Sequence, residues 1–504
     1  MAFPATYENI KQVSLAPSFG CRDAFLTSDS YVFNGFLEKS SEGAYSVKRP
    51  GLKLVANVYS GLGLTAPVSP PPTRFGCFGS GLYKGSPTFI VGNSFIVLAT
   101  PAGSTAPLLT PTTYTLGVLN PPDCMYRAIN LVIQGATVLY LNGSATIPIP
   151  TSVSLVPSFC ELDGTYYVMD SGGVLWASQL LNFNIWPVLN FVQAFSSDAG
   201  VCLFKHLNYL LAFSGKELKV YYDAAISPGA PIAQVTSSGG PFGMPNTAAT
   251  SIQTFNNSTF WLGRSSTPGL CIYSMSGLTV TKISTPEVER VLNENFAKLE
   301  WAFLSSGLTT YLPLTYACRS AIVGEAGHTF YILTCPSVPG LVTGVTLVFD
   351  LTMQEWLVWN QDNGDGPQEL RIAQVAPAVG QDRNLCMDYQ NGDIFTFDAN
   401  TYQDNGRPIN FTVQTDLFAW GNQRTKMIPA TYVLGDTLNS NLTISWTDDD
   451  YNTFNTPQVV STASTKKQLI RCGSTVQRGW RIVHTDNTPM RLYSLEVEVQ
   501  PGAL

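Results

Sequence analysis

The stretch "HLNYLLAFSGKELKVYYD" (206–223) holds the pattern that decides the fold. A polar turn leads to an aromatic-rich strand, and a second polar turn separates it from another strand with alternating side chains. Alternation with a period of two is typical of β-strands with one buried face. The stretch therefore predicts a β-hairpin that belongs to a larger sheet.

Similar units recur along the chain at intervals of about 45 to 69 residues. These intervals bracket the roughly 40–50 residues of one four-stranded propeller blade. We therefore expect an all-β chain that contains a β-propeller of five to seven blades, an additional antiparallel β-sandwich or platform domain, and one or two short helices. The other units lie at 161–178, 256–277, 325–360 and 382–398, with earlier candidates at 81–100 and 128–143.

The repeats also predict the domain organisation of the 504 residues. Residues 50–405 are assigned to the propeller and residues 406–504 to a C-terminal β-sandwich platform. Residues 1–49 are expected to join that platform, because a short β-segment has too little core to fold alone. A Pro/Thr-rich stretch near 100–155 is interpreted as an insertion into the propeller.

One segment, "STPEVERVLNENFAKLEWAF" (284–303), has the pattern of a helix. Thr285 is placed to cap it, Pro286 suits the first helical position, and the apolar residues fall on one face. This face either covers a blade or forms a contact between subunits.

Composition and charge exclude several classes of protein. Charged residues make up 12% of the chain, about half the usual share, and the formal net charge is −7. A protein that grips nucleic acid needs clustered Lys and Arg to bind phosphates, and no such cluster is present. No apolar run approaches the roughly 18–20 residues of a membrane-spanning helix, and no secretory signal is recognisable, so synthesis in a cytoplasm is expected.

Residues that carry chemistry are sparse. The three histidines and ten cysteines are scattered without metal-ligand spacing, so we expect no metal, no cofactor, no catalytic residue and no enzymatic activity. His328 is interpreted as a hydrogen-bonded turn residue. The stretch "TDDDYNTF" (447–454) is similar to the Asp-box hairpin, in which Asp449 would tie its own turn and Phe454 would supply the terminal aromatic ring.

The loop "LNFNIWPVLNF" (181–191) allows two interpretations. Trp186 and Pro187 could belong to an aromatic platform for a ligand. Alternatively, the loop connects blades, its apolar side chains dock on the neighbouring blades, and its asparagines satisfy backbone groups of the turn. The second interpretation is favoured.

Several stretches, taken in order, resemble the tail nozzle proteins of short-tailed bacteriophages, also called tail hub or packaged-DNA stabilisation proteins. The Arg-Pro-Gly turn in "KRPGLKLV" (48–55) is similar to a turn near the start of that family. No single stretch is diagnostic, but their order and spacing are shared. The other stretches are 181–191, 260–289, 324–336 followed by 347–359, and the segment from 445 to 499.

The resemblance implies a structural protein of the virion tail, made in the cytoplasm of a bacterial host. It implies a homo-hexameric ring below the portal and adaptor rings, which retains packaged double-stranded DNA and conducts it during ejection without sequence-specific binding. It also implies docking of a tail needle, tailspike or fibre, with the insertion near 100–155 as part of the nozzle tip. Six copies would carry roughly −40 charges, so DNA would not adhere to the channel.

Two other functions stay open from the sequence alone. A propeller glycosidase or lyase acting on surface polysaccharide would need two carboxylates roughly 5–10 Å apart in a pocket of the propeller. A carbohydrate-binding adhesin would need only a binding surface. The scattered arginines disfavour an enzyme that holds an acidic sugar.

Overall fold

The computed structural model is built almost entirely of β-strands. It describes residues 10–22, 28–41, 43–57, 77–83, 86–91, 94–99, 108–112, 124–127, 130–134, 138–141, 145–226, 228–264, 269–294, 318–337, 344–362, 367–378, 383–388 and 392–501. Helical structure in these residues is limited to a 3₁₀ turn at Asn246–Ala248 and to the helix α1, described over 286–294. None of these helical segments has the length and hydrophobicity to span a bilayer.

Five strands precede the first blade of the propeller. Three of them pair with strands from the C-terminal part of the chain, one pairs with its neighbour in the N-terminal segment, and the fifth pairs with the last blade. They are β1 (Ile10–Ser14), β2 (Tyr31–Phe33), β3 (Gly35–Ser40), β4 (Gly43–Lys48) and β5 (Gly51–Asn57).

Within the described residues, seven blades of four antiparallel strands follow one another and form the propeller. The strands of the first three blades are β6 (Cys77–Tyr83), β7 (Ser86–Val91), β8 (Ser94–Ala99), β9 (Leu108–Thr112); β10 (Cys124–Arg127), β11 (Asn130–Gln134), β12 (Val138–Leu141), β13 (Ala145–Pro148); β14 (Cys160–Leu162), β15 (Thr165–Met169), β16 (Val174–Ala177) and β17 (Phe191–Gln193). Those of blades 4 and 5 are β18 (Gly200–His206), β19 (Tyr209–Ser214), β20 (Leu218–Asp223), β21 (Ile232–Gly240); β22 (Gln253–Phe255), β23 (Ser258–Arg264), β24 (Leu270–Ser276) and β25 (Thr279–Lys282). Blade 6 consists of β26 (Arg319–Glu325), β27 (His328–Cys335), β28 (Val345–Asp350) and β29 (Glu355–Asp362), to which β30 (Pro367–Glu369) adds a short edge.

Blade 7 is closed by a strand from the other end of the chain. It contains β31 (Ile372–Ala378), β32 (Arg383–Asp388) and β33 (Asp393–Asp398), and β5 pairs antiparallel with β33 as the fourth strand. The first strand of blade 7 lies beside the first strand of blade 1, so the ring of blades is complete. The predicted all-β propeller is confirmed, with seven blades at the upper end of the expected range.

Most of the remaining strands form a platform of two sheets, and the others form one small sheet of two strands and one of three. One sheet has the order β3-β4-β44-β38-β41, with β1 also paired to β44; the other has the order β2-β36-β43-β39-β40 and continues into blade 6 through the parallel pair β2 and β29. The strands from Gln403 onward are β34 (Gln403–Asp404), β35 (Arg407–Pro408), β36 (Phe411–Gln414), β37 (Lys426–Met427), β38 (Ala430–Gly435), β39 (Asn441–Thr447), β40 (Gln458–Ser461), β41 (Gln468–Ile470), β42 (Ser474–Thr475), β43 (Gly479–His484), β44 (Arg491–Glu498) and β45 (Gln500–Pro501).

The platform and the last two blades share one hydrophobic core. Trp359 of blade 6, Phe397 of blade 7 and Trp480 of the platform belong to the same buried cluster. Burial of apolar area at about 25 cal/mol per Å² favours keeping these parts together. A second cluster joins blades 4 to 6 and receives the apolar face of α1, including the fully buried Val288 and Leu292.

Two details differ from the sequence predictions. The stretch near 100–155 is not an insertion in its described part, because β9 completes blade 1 and β10 to β13 form blade 2; residues 113–123 lie outside the described residues. The helix α1 begins after Thr285 as expected, but the hydroxyl of Thr285 has no hydrogen-bond partner. Ser284 instead accepts a hydrogen bond from the amide of Ile272 and donates one to Glu289, which ties the helix start to blade 5.

Candidate functional site: the joint between platform and propeller

The chain passes from the platform into the propeller at Arg49. This side chain is fully buried and forms a bidentate ion pair with Asp404, with Nη1 3.0 Å from Oδ1 and Nη2 2.5 Å from Oδ2. Its Nε donates to Asn34 Oδ1 at 3.2 Å, and Nη2 also donates to the carbonyl of Asn360 at 2.9 Å. Arg49 thus connects the N-terminal strands, blade 6 and the hairpin that follows blade 7.

The glycine of the Arg-Pro-Gly turn, Gly51, fits this position for steric reasons. A Cβ on Gly51 would lie 2.1 Å from the carbonyl oxygen of Gln403, which is backbone and cannot move aside easily. The Gly51 amide donates to the carbonyl of Thr401 at 2.7 Å, and the amide of Leu52 donates to Asp404 Oδ1 at 3.0 Å. Glycine therefore allows the close approach of two backbone segments, as at other tight crossings.

A buried chain of polar groups lies next to this turn. Lys48 Nζ donates to His484 Nδ1 at 3.3 Å and to the carbonyl of Asp486 at 2.7 Å. The remaining contacts are consistent with His484 Nε2–H donating to Ser440 Oγ at 2.7 Å and with the Ser440 hydroxyl donating to Asp486 Oδ2 at 2.7 Å. The chain connects β4 to the platform, so it fixes the N-terminal strands on the C-terminal sheets.

These residues do not form a hydrolase triad, although Ser, His and Asp are present. In a triad the carboxylate holds the histidine and leaves the serine hydroxyl free to attack. Here the Asp486 carboxylate accepts from Ser440, and Lys48 occupies the other nitrogen of His484. Ser440 and His484 are also buried, with 4% and 0% of their surfaces exposed, so a substrate cannot reach them. The cluster is structural.

Burial sets the ionisation of this cluster. It lowers the pKa of Lys48 to about 7, with Arg49 adding repulsion, and Asp486 partly opposes the shift. Burial and the neighbouring Lys48 ammonium lower the pKa of His484 to about 4. His484 is therefore neutral at neutral pH, which agrees with its accepting a hydrogen bond from Lys48.

His328 lies where a turn residue was expected. It begins β27, and its Nδ1 is 2.7 Å from Asp350 Oδ2. The hydrogen bond to Asp350 raises the pKa of His328, against the effect of burial. The other oxygen of Asp350 accepts from the amides of Thr352 and Met353, so both residues stabilise the hairpin between β28 and β29.

Asp449 ties its own hairpin, as in the Asp-box pattern. Its carboxylate accepts from the amide and hydroxyl of Thr453 and from the hydroxyl of Thr447, and these hydrogen bonds lower its pKa. Tyr451 stands where glycine is usual and has a φ of 65°, which explains that preference. Phe454 is half-buried, with the guanidinium of Arg481 3.8 Å from the centre of its ring.

The loop of blade 3 is anchored by Trp186. Trp186 is 8% exposed, packs in a cluster that contains Ile147 of blade 2 and Val168 of blade 3, and donates from Nε1 to the carbonyl of Phe183 at 2.8 Å. Pro187 follows it and is half-buried. Trp186 thus packs against both blades.

The prediction that the other apolar side chains of this loop dock on the blades is wrong for most of them. Only Phe183 joins Trp186 at the cluster. Leu181, Ile185, Leu189 and Phe191 are exposed by 77%, 49%, 77% and 44%.

A polar cleft lies between blade 7 and the hairpin of β34 and β35. It has a volume of about 170 Å³, and burial raises the pKa of Asp393 at its wall. Asp404 is already paired with Arg49, and Asp362 lies 3.9 Å from Arg407. The charged residues that line the cleft are Asp362, Arg371, Asp388, Asp393, Asp404 and Arg407.

The described residues show no group of three His, Cys, Asp or Glu side chains that could hold a metal ion. The eight cysteines whose surroundings are described are free and buried, as expected from their scattered spacing. Cys318, which precedes β26, is a neighbour of Cys335, the last residue of β27, with their sulfurs 3.4 Å apart. Burial raises the pKa of Cys318, which keeps it a thiol.

No protein-family model matches the sequence, and no curated protein matches it. Among solved structures, the N-terminal domain of Nup159 aligns at 8% identity over 73% of this chain and 99% of its own, with a TM-score of 0.40. The WD40 β-propeller domain of Doa1 aligns at 9% identity over 69% and 97%, with a TM-score of 0.39. BamB from Moraxella catarrhalis aligns at 11% identity over 77% and 97%, with a TM-score of 0.37. TM-scores this low carry no argument, so the propeller assignment rests on the strand pairing of this chain.

Proposed function

We propose that this chain is a structural protein of a short-tailed phage virion, a tail nozzle or hub without catalytic activity. The observation that carries the proposal is the position of the Arg-Pro-Gly turn. This turn is part of the sequence resemblance, and in the fold Arg49 connects platform and propeller through a buried ion pair. The turn on which the resemblance partly rests therefore lies at the joint between platform and propeller, and this structural role supports the proposed family.

The architecture fits a conduit that must resist force. Both ends of the chain build the platform, and the platform sheet continues into blade 6 through β2 and β29. Relative motion of the two parts would require breaking a shared hydrophobic core. In the proposed assembly, copies form a homo-hexameric ring below the adaptor ring, and DNA passes through a channel whose net negative charge disfavours adhesion.

The test is the state of assembly of the purified full chain. We expect cryo-electron microscopy and mass photometry to show a closed ring of copies with an axial channel. We also expect no retention of linear double-stranded DNA in a mobility assay at physiological salt. A chain that stays monomeric up to high micromolar concentration, in the presence of an adaptor ring as well, would contradict the proposal.

A second candidate function is supported by the polar cleft of blade 7. A glycosidase needs one carboxyl group with a raised pKa as the acid and a second, ionised carboxylate. Burial raises the pKa of Asp393, and Asp388 lies in the same cleft. Incubation with host surface polysaccharide would then release reducing ends, and Asp393→Asn would abolish the release. If the wild-type chain releases no reducing ends, the glycosidase function is wrong and the structural function remains.

A further inference from the structure

The loop of blade 3 carries six exposed apolar side chains within twelve residues. We call this set the blade 3 patch, and its members are exposed by 44% to 77% of their surfaces. Single exposed apolar residues are ordinary, but a cluster on one short loop marks a protein contact. The blade 3 patch consists of Leu180, Leu181, Ile185, Val188, Leu189 and Phe191.

An acidic pocket adjoins the blade 3 patch. It lies between blades 3 and 4, has a volume of about 400 Å³, and is lined by Asp163, Tyr222 and Asp223 among others. The amide of Leu181 donates to the carbonyl of Gly164 at 2.9 Å, so the patch rests on the turn that carries Asp163. Among the described residues neither aspartate forms an ion pair.

Together, the acidic pocket and the blade 3 patch favour a partner that presents a cationic side chain on an apolar surface. Two carboxylates attract a guanidinium or ammonium group, and the Tyr222 ring, 41% exposed, offers a face for stacking. A metal ion fits less well, because no group of three acidic, His or Cys side chains occurs in the described part of the chain.

The chain carries a surface with this chemistry on its platform. The strands β40 and β41 are adjacent and end the two platform sheets, and Val459 and Ile470 on them are exposed by 68% and 59%. Arg471 follows Ile470, is exposed, and has no ion-pair partner among the described residues. We call Val459, Ile470 and Arg471 the platform edge; the exposed Lys466 lies nearby in the chain.

The two surfaces belong to different parts of the fold. The platform edge lies on the strands that end the two platform sheets, and the patch and pocket belong to blades 3 and 4. Complementary surfaces at different positions make head-to-tail contacts, which build closed rings when the rotation between copies allows closure.

We propose that the blade 3 patch and the acidic pocket of one copy bind the platform edge of a second copy, with Arg471 entering the pocket. This inference rests on the proposed ring and names the surfaces that close it. Apolar contact would supply most of the affinity, and the charge pair would set the register of the two copies.

The experiment is a charge exchange in the full chain. We expect Asp163→Lys and Arg471→Glu each to raise the concentration for half-assembly by at least about tenfold, measured by mass photometry and sedimentation velocity. The variant that carries both changes is expected to regain assembly, because the exchanged charges attract each other across the contact. Asp416→Lys, at an exposed aspartate of the platform away from these surfaces, is the matched control and should assemble like the wild type.

A second set of variants distinguishes a defect in assembly from a defect in folding. Asp163→Asn keeps a residue that tolerates the φ of 47° at this turn, and Leu189→Ser removes part of the apolar contact without touching the core. Both should retain the wild-type thermal transition of the unassembled chain and weaken assembly.

The outcomes distinguish the inference from the function on which it rests. If the wild type forms rings and the single variants form them equally well, this contact is wrong and the ring stands. If the wild type never assembles, both are wrong. If a glycan array binds the wild type and not Asp163→Asn, while assembly is unchanged, the pocket is a carbohydrate site and the contact between copies is wrong.

Discussion

Arg49 and Asp404 form a buried bidentate ion pair although 355 positions separate them in the sequence. The pair joins the N-terminal strands to the hairpin after blade 7, and Asp404 Oδ1 also accepts a hydrogen bond from the amide of Leu52 at the start of the closing strand. It therefore fixes the point at which the chain leaves the platform and completes the propeller.

Removal of the guanidinium should destabilise the whole fold. Arg49→Met leaves the Asp404 carboxylate buried without its counter-ion, which costs about 3–5 kcal/mol of the free energy of unfolding. Urea unfolding followed by tryptophan fluorescence measures this. Arg491→Met is the control: its pair with Asp436 has an arginine side chain that is 49% exposed, and we expect a loss of about 1 kcal/mol or less. Equal losses in the two variants would show that Arg49 has no special role.

Gly51→Ala tests the steric argument at the same turn. The added methyl group would lie 2.1 Å from the carbonyl oxygen of Gln403, so the two backbone segments must separate. We expect the free energy of unfolding to fall by about 1–3 kcal/mol or more, by analogy with overpacked cores. Gly324→Ala is matched to it, because this glycine also lies in a strand and its nearest neighbour would be 4.0 Å away. Thermal unfolding should separate the two variants by several degrees.

The polar cluster around Lys48 predicts a pH dependence. The folded pKa of Lys48 is about 7 and its ordinary value is 10.5, so between these values the unfolded chain binds more protons and stability rises with pH. The folded pKa of His484 is about 4 against 6.5, so stability falls as the pH decreases through that window. Urea midpoints at pH 6, 7.5 and 9 should increase in that order, and Lys48→Met should flatten the rise above pH 7. An unchanged slope in that variant would contradict the assignment.

Trp186 should stabilise the contact between blades 2 and 3, and its neighbours in the loop should not. Trp186→Ala removes a large buried ring and is expected to cost about 3–5 kcal/mol. Leu189→Ala, at a side chain that is 77% exposed, should stay within about 0.5 kcal/mol of the wild type. Denaturant unfolding of both variants in the unassembled state provides the comparison.

Local patterns in the sequence predicted the parts of the fold that depend on local contacts. The unit at 206–223 folds into β19 and β20 with the expected turn between them, because alternation and turn residues act over a few positions. The helix at 286–294 likewise follows from Pro286 and its apolar face. The ionic partner of Arg49 and the strand that closes blade 7 depend on residues more than 300 positions away, and no short-range pattern contains that information.

The residues of the candidate sites could likewise be assigned from the sequence only where their partners are close in the chain. Asp449 could be assigned to its hairpin because its partners lie within four residues. Lys48, Ser440 and His484 come from three separate segments, and nothing in their local sequence indicates a shared cluster. The exposure of Leu189 was also missed, because an apolar residue in a loop is equally compatible with docking on the blade and with contact to another molecule.

The closure of blade 7 by β5 has a consequence for synthesis. A ribosome makes residues 51–57 long before their partner strand 393–398, and at roughly 5–20 residues per second the interval is on the order of tens of seconds. During this time β5 has no partner strand on the nascent chain, and the six earlier blades form an open arc. A chain truncated before residue 393 cannot close blade 7, so the ring of blades closes only after synthesis has passed residue 398.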